Sequence, residues 1–385
     1  MTIQDRGTSP RRGSAVEVAR VFGVLGVRAF GGPAVHVALM RREVVERRHW
    51  LDGNDFDALF AACSLIPGPG STQLALVLGL RRAGWRGMAV AAACFIAPSV
   101  AVMIGLAALY SATGGGIGRA RGALLGAEAA VVAIVAAAAL ELAAAPVRRW
   151  DTAAVLVAAL ALGTLHVTPL AVLAGGALVV GAARGLGRSL AALLVTAVGH
   201  QPVLAVVAGS GRLLPLALTF LKIGAVAFGS GYVLLPFLHA DLATPMWHLS
   251  DRQIADGFAA SQATPGPVFG VAGFLGYLVG GVPAGLVAAA AIFAPSFVLV
   301  PLLDRIVAVV SRRAVLSAAL AGVAAAAVGL IAGSDVDLAR AAWSSPLEIA
   351  ISAVCLLILQ RWRLAQPWAV LAGIVAGGAL HALHG

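Results

Sequence analysis

The chain has 385 residues, of which 60% are hydrophobic and 11% charged, and its mean hydropathy is +0.95. An average soluble domain carries roughly 25% charged residues, so a soluble globular class is excluded. The net charge of +10 does not point to nucleic acid, because the arginines sit in short loops between apolar runs, as the positive-inside rule describes for membrane helices.

In chain order, a polar and basic tail (1–14), without the apolar core or cleavage site of a signal peptide, precedes thirteen apolar segments. They lie at about 16–40, 58–80, 87–110, 122–145, 152–166, 168–183, 190–209, 213–238, 256–281, 284–303, 314–333, 346–360 and 367–383. No long polar insert separates them. The fold class is therefore an all-α polytopic membrane protein without a soluble module, divided into a first repeat at 15–210 and a second at 211–385. Cys63, Cys94 and Cys355 stand far apart inside apolar runs and read as small core residues.

The division into repeats comes from self-similarity. Phe22, Gly26, Ala29, Phe30 and Gly31 recur as Phe220, Gly224, Ala227, Phe228 and Gly229, an offset of 198 residues. The same offset pairs Pro67, Gly68 and Pro69 with Pro265, Gly266 and Pro267, and after one deletion Ala97-Pro98-Ser99 pairs with Ala294-Pro295-Ser296. Seven segments precede the second copy, so an odd number of crossings inverts it, the transporter arrangement of opposed repeats. Arginine placement agrees: the loops with Arg41, Arg42, Arg47 and Arg48 and with Arg81, Arg82 and Arg86 have as counterparts 241–256, where Arg252 is the one arginine, and 280–283, which has no charge. Two topologies remain open. Either all thirteen segments cross, or the first, second, eighth and ninth are re-entrant hairpins bent at their Gly/Pro breaks. Both place the N-terminus in the cytoplasm of a cell with an inner membrane and the C-terminus outside.

The breaks carry the candidate chemistry. Proline lacks an amide donor and glycine leaves the backbone soft, so Phe30-Gly31-Gly32-Pro33, Pro67-Gly68-Pro69-Gly70, Phe228-Gly229-Ser230 and Pro265-Gly266-Pro267 each interrupt a helix. A helix restarting after a break presents free amides and about half a positive charge, which makes an anion site. Ser71 and Thr72 follow the first Pro-Gly-Pro and add hydroxyl donors. Arg28 and Lys222, the only lysine, lie within apolar runs close to a break and are candidate cationic partners of the anion. Glu128, isolated among small residues, and His36, three residues beyond a break, are the candidate proton-coupling groups. There is no G-x-x-x-x-G-K-[ST] loop, H-E-x-x-H or Cys/His cluster, so no ATP hydrolysis, metal centre or cofactor is expected, and the chain is read as a carrier and not an enzyme.

The doubled series of Phe-Gly-Gly-Pro, Pro-Gly-Pro-Gly and Ala-Pro-Ser resembles the long-chain, two-domain form of the chromate ion transporter family over about residues 15–380. The resemblance implies an inner-membrane carrier that expels chromate, driven by the proton-motive force, with sulfate as the isosteric competitor. It carries the family's motif residues onto Phe30, Gly31, Gly32, Pro67, Gly68, Pro69 and Gly70, then Phe228, Gly229, Pro265, Gly266 and Pro267. The second copy departs from the pattern at Ser230, Gly231 and Val268, so unequal substrate binding by the two halves is expected. The expected partners are an oxyanion of chromate or sulfate type, protons and the lipid bilayer, while a homodimer is admitted and not required. The alternatives are a sulfate or other oxyanion permease, an intramembrane enzyme and a purely structural membrane subunit.

Overall fold

The computed structural model describes residues 13–30, 32–113, 121–184, 211–228, 231–343, 345–362 and 366–384. All regular elements among them are helical. Most of the polar tail and the 190–209 segment lie outside the described residues, as do Gly31, Gly229 and Ser230.

The first repeat opens with α1 (Ala15–Arg28), capped by the Ser14 hydroxyl, which accepts from the Glu17 amide at 3.1 Å. The helix ends at Ala29 and Phe30, and the chain returns as α2 (Gly32–Arg41), followed by a wide turn of helix at Arg42–Arg47. Next, α3 (Gly53–Cys63) starts at an Asp52 cap and runs to the Pro-Gly-Pro break, after which α4 (Gly70–Ala112) begins. Within α4, Gly84 takes φ 63° and ψ −155°, which reverses the chain. A methyl group on Gly79 would fall 2.7 Å from the Ala91 Cβ, although twelve residues of straight helix span about 18 Å. The segment 70–82 is thus a half-helix of about 20 Å, too short for a bilayer core of about 30 Å, and 85–112 is the spanning part.

Among the described residues three more helices belong to this repeat: α5 (Arg121–Ala143), α6 (Trp150–Thr164) and α7 (Pro169–Ala183). The second repeat follows the same plan with α8 (Leu213–Val226), α9 (Leu234–Leu242), α10 (Asp251–Ala263) and α11 (Val271–Leu299). The cap of α10 is Ser250, 198 residues after Asp52, and forms a reciprocal capping box with Gln253. The reversal recurs at Gly281, with φ 70° and ψ −162°. An amphipathic helix, α12 (Leu303–Arg312), then leads to α13 (Ala314–Ala342), α14 (Pro346–Trp362) and α15 (Gln366–His384).

The hairpin alternative is the one adopted. Gly13, Glu17, Trp50 and Arg82 meet at one face: the Gly13 amide donates to the Arg82 carbonyl, Trp50 Nε1 donates to Glu17 at 2.8 Å, and Arg82 bonds Glu17 and lies over the Trp50 ring. The starts of α1 and α3 and the end of the 70–82 half-helix therefore share a side, and both breaks are apices pointing away from it. Side-chain contacts also establish the inversion. Arg81 pairs with Asp304 beyond the end of α11, while Tyr110 near the end of α4 donates to Asp256 near the start of α10. Each spanning helix runs from its own repeat's face to the other's. We call the Arg81 side the first face and the Asp256 side the second.

The outer helices are exchanged between repeats. Within the described residues, α5 packs on α14 and α15, and α13 packs on α6 and α7. Glycines set these approaches. A Cβ on Gly126 would collide with the Gly373 carbonyl, and one on Gly322 with that of Gly176. Small residues at such crossings let apolar helices pack closely in lipid, where no hydrophobic gain drives association.

Candidate functional site

The four breaks converge where the repeats meet. Gly68, at φ 119°, donates its amide to the Ala227 carbonyl at 2.7 Å, and Gly266, at φ 88°, donates to Ala29 at 3.0 Å. Positions 68 and 266, like 29 and 227, are 198 apart, so the two bonds are related by the internal symmetry. They satisfy two of the backbone groups that the prolines remove from helical bonding, which in hydrocarbon would each cost several kcal/mol unpaired. The Ala-Pro-Ser triplets complete the frame. Ser99 Oγ donates to the Pro267 carbonyl at 3.2 Å, and Ser296 Oγ lies 3.5 Å from Gln73 Nε2, which also donates to the Pro67 carbonyl. Sequence reasoning marked these triplets as repeat signatures and missed their place at the site. Their recurrence next to both breaks was the available signal.

The symmetry ends at the side chains. Pro69 caps α4 without any side-chain hydrogen bond, so the first-turn amides of Gly70, Ser71 and Thr72 face the break as donors. Ser71, Thr72 and Gln73 are all buried there, whereas Phe269, Gly270 and Val271 hold the matching positions of the second repeat. Thr72 Oγ1 and Gln73 Oε1 are buried without a hydrogen-bond partner among the described residues. Ser71 Oγ lies 3.3 Å from His36 Nδ1, and His36 Nε2 lies 3.1 Å from the Ala29 carbonyl. With the ring proton on Nε2, that nitrogen donates to Ala29 and Nδ1 accepts from the Ser71 hydroxyl. Ala29 thus receives bonds from both His36 and Gly266.

Arg28 and Lys222 differ in their electrostatics. Arg28 ends α1 beside the break, is exposed, and has no ion-pair partner among the described residues. Lys222 Nζ lies 2.5 Å from Asp241, tying α8 to α9, so its charge is already compensated. Phe30 is 42% exposed, while Phe228 lines a cavity of about 360 Å³. The cavity walls reach from Pro146 and Val310, near the basic Arg148 and Arg312, to Ser64, Leu65 and Phe228 at the breaks. Its lining is almost wholly apolar, with Ser64 and Ser317 as the hydroxyl-bearing members.

Glu128 is placed elsewhere, toward the second face. It lies within hydrogen-bonding reach of Asp256, with Arg252 Nη2 at 3.7 Å from its Oε1. Asp256 also accepts from Tyr110 at 2.9 Å. The sequence indicated Glu128 alone; Asp256, Tyr110 and Arg252 reach it only through the packing of α4, α5 and α10. Among the described residues no group of three or more His, Cys, Asp or Glu side chains is arranged to hold a metal ion.

Two interlocked, inverted repeats whose broken helices meet between them define a membrane transport protein of the inverted-repeat class. The chain belongs to the chromate transporter family, whose model matches residues 16–182 and 214–378, one stretch in each repeat. It is 32% identical over 374 residues to a chromate transport protein of Cupriavidus metallidurans, covering 93% of this chain and 92% of the relative. It is 34% identical over 361 residues to a chromate transport protein of Pseudomonas aeruginosa, covering 88% and 85%. A probable chromate transport protein of Synechococcus elongatus is 29% identical over 380 residues, covering 94% and 95%. No solved structure matches the chain.

Proposed function

We propose that this chain is a secondary carrier that moves chromate outward across the inner membrane, with the N-terminus and the first face in the cytoplasm and protons as the coupling ion. The observation that carries this reading is the uncapped start of α4 at the meeting of four breaks, with the Thr72 hydroxyl buried beside it and without a hydrogen-bond partner among the described residues. A helix N-terminus with added hydroxyl donors fits a tetrahedral dianion. Arg28 supplies the positive potential, Phe30, Gly32 and Phe228 shape the walls, and Pro67, Gly68, Pro69, Gly70, Pro265, Gly266 and Pro267 set the backbone. The named relatives give chromate as the substrate. Glu128 and His36 are the proposed proton-coupling groups. Rocking of the repeat at 15–210 against that at 211–385 exposes the site to each face in turn.

The test is uptake of labelled chromate into everted vesicles. Uptake that needs an imposed proton gradient and falls in Arg28→Ala and Thr72→Val supports the reading; uptake indifferent to all three overturns it. A sulfate permease is the second reading, because amides and hydroxyls recognise the shape and charge of a tetrahedral dianion and nothing peculiar to chromium. Tighter competition by sulfate than by unlabelled chromate decides for it.

A further inference from the structure

The carboxyl contact between Glu128 and Asp256 says more than either residue alone. Glu128 is on α5, which packs with the second repeat, and Asp256 is on α10, which runs directly into the second Pro-Gly-Pro break. The two side chains are within hydrogen-bonding reach of each other. Yet Glu128 Oε1 and Asp256 Oδ1 are both buried, and neither receives a hydrogen bond from any donor among the described residues. Arg252 stands 3.7 Å from Glu128, too far to donate, and the Tyr110 hydroxyl is directed to the other Asp256 oxygen. Two carboxylate oxygens in contact repel, and a proton between them turns the contact into a short, strong hydrogen bond.

We propose that Glu128 and Asp256 share a single proton, and that holding or releasing it closes or opens the second face. The inference rests on the carrier reading for its use and on this geometry for its existence. With the proton in place, one carboxyl donates to the other and α5 is latched to α10. Release leaves two carboxylates and sends one proton to water at the second face. The repulsion then parts the helices, since Arg252 balances only one of the two charges. Among the described residues few other groups act on the pair. Tyr110 faces it from α4 and Glu348 acts on Glu128 from α14, adding to the repulsion. His239 of α9 faces Asp251 instead, Asp337 and Arg340 of α13 bond to each other, and α11 carries no Asp, Glu, Lys, Arg or His. From Asp256 to Thr264 is two turns of helix, about 12 Å. Movement of α10 therefore reaches Gly266 and its bond to Ala29 without an intermediate element.

Two measurements on the full-length protein in lipid test this. Infrared difference spectra across a pH titration are expected to show a carboxylic acid band in the wild type that the Glu128→Gln/Asp256→Asn double variant lacks. Identical spectra would overturn the shared proton whatever the protein carries. In proteoliposomes, chromate counterflow and chromate accumulation driven by a pH gradient are compared. The ratio of counterflow to driven accumulation is expected to rise in both Glu128→Gln and Asp256→Asn. A wild-type ratio in both variants would overturn the latch. A wild type that moves no chromate sinks the carrier reading instead, and the infrared band still decides the pair.

Discussion

The amide of Gly68 lies 2.7 Å from the carbonyl of Ala227, so the break in one repeat is closed by the other. Gly266 returns the same bond to Ala29, which makes the centre of the protein a property of both halves together. Both glycines hold φ values that residues with a Cβ avoid, at a cost on the order of 1 to 3 kcal/mol for a substituted residue. Gly266→Ala is expected to destabilise more than Gly68→Ala. A Cβ at 266 meets the Ser99 Cβ at 2.8 Å and the Phe95 carbonyl at 3.3 Å, whereas at 68 it meets the movable ends of Gln73 and Ser296. Thermal unfolding of the two variants in detergent checks the order.

Thr72→Val should separate binding from stability. The hydroxyl is buried and has no partner among the described residues, and an unmet polar group costs about 1 to 3 kcal/mol, so the isosteric valine is expected to leave the melting temperature unchanged or raise it. Chromate affinity should fall at the same time. A marked loss of stability would show that the hydroxyl has a structural partner.

Arg28 and Lys222 are expected to respond differently. Arg28→Gln removes a charge with no partner among the described residues and should weaken transport while leaving the fold intact. Lys222→Met strands Asp241, whose second oxygen is already buried without a hydrogen-bond partner among the described residues, and should cost roughly 1 to 3 kcal/mol. Adding Asp241→Asn should recover most of that loss. A double-mutant cycle on unfolding free energy measures the recovery; simple additivity would contradict the pair.

Acid sensitivity at the first face follows from Glu43. Its partial burial raises the carboxyl pKa, but bonds from Arg48 at 2.8 Å and Arg47 at 3.3 Å outweigh this and hold it below the ordinary value. A pKa lowered on folding stabilises above the unfolded value of about 4.3 and loses that contribution as the pH falls through the folded value. Glu43→Gln should therefore melt lower than the wild type near neutrality, with the two curves converging below about pH 4. Melting curves across that range test the sign.

Much of the fold is legible because it depends on local chemistry. Proline and glycine mark the breaks wherever they fall, Ser14, Asp52 and Ser250 mark helix starts, and the 198-residue offset exposes the repeat. Thirteen crossings and a re-entrant course both satisfy the sequence, and the meeting of Gly13, Glu17, Trp50 and Arg82 at one face chooses the second. What escapes the sequence depends on contacts between distant elements. Asp256 is 128 residues from Glu128, and nothing near either residue announces the other. Lys222 looks like a free cation until α9 folds back and brings Asp241 to it. α12 is amphipathic and too short for a span, so a search for apolar runs passes over it.

The exchange of outer helices bears on how the chain is assembled. α5 is synthesised about 200 residues ahead of α14 and α15, on which it packs. At roughly 5 to 20 residues per second, it waits on the order of 10 to 40 s in the bilayer with its glycine seam facing lipid. Glu128 waits with it until Asp256 emerges, as an acidic group in hydrocarbon without its eventual partner. The first half inserts as a nascent structure that only the second half can complete.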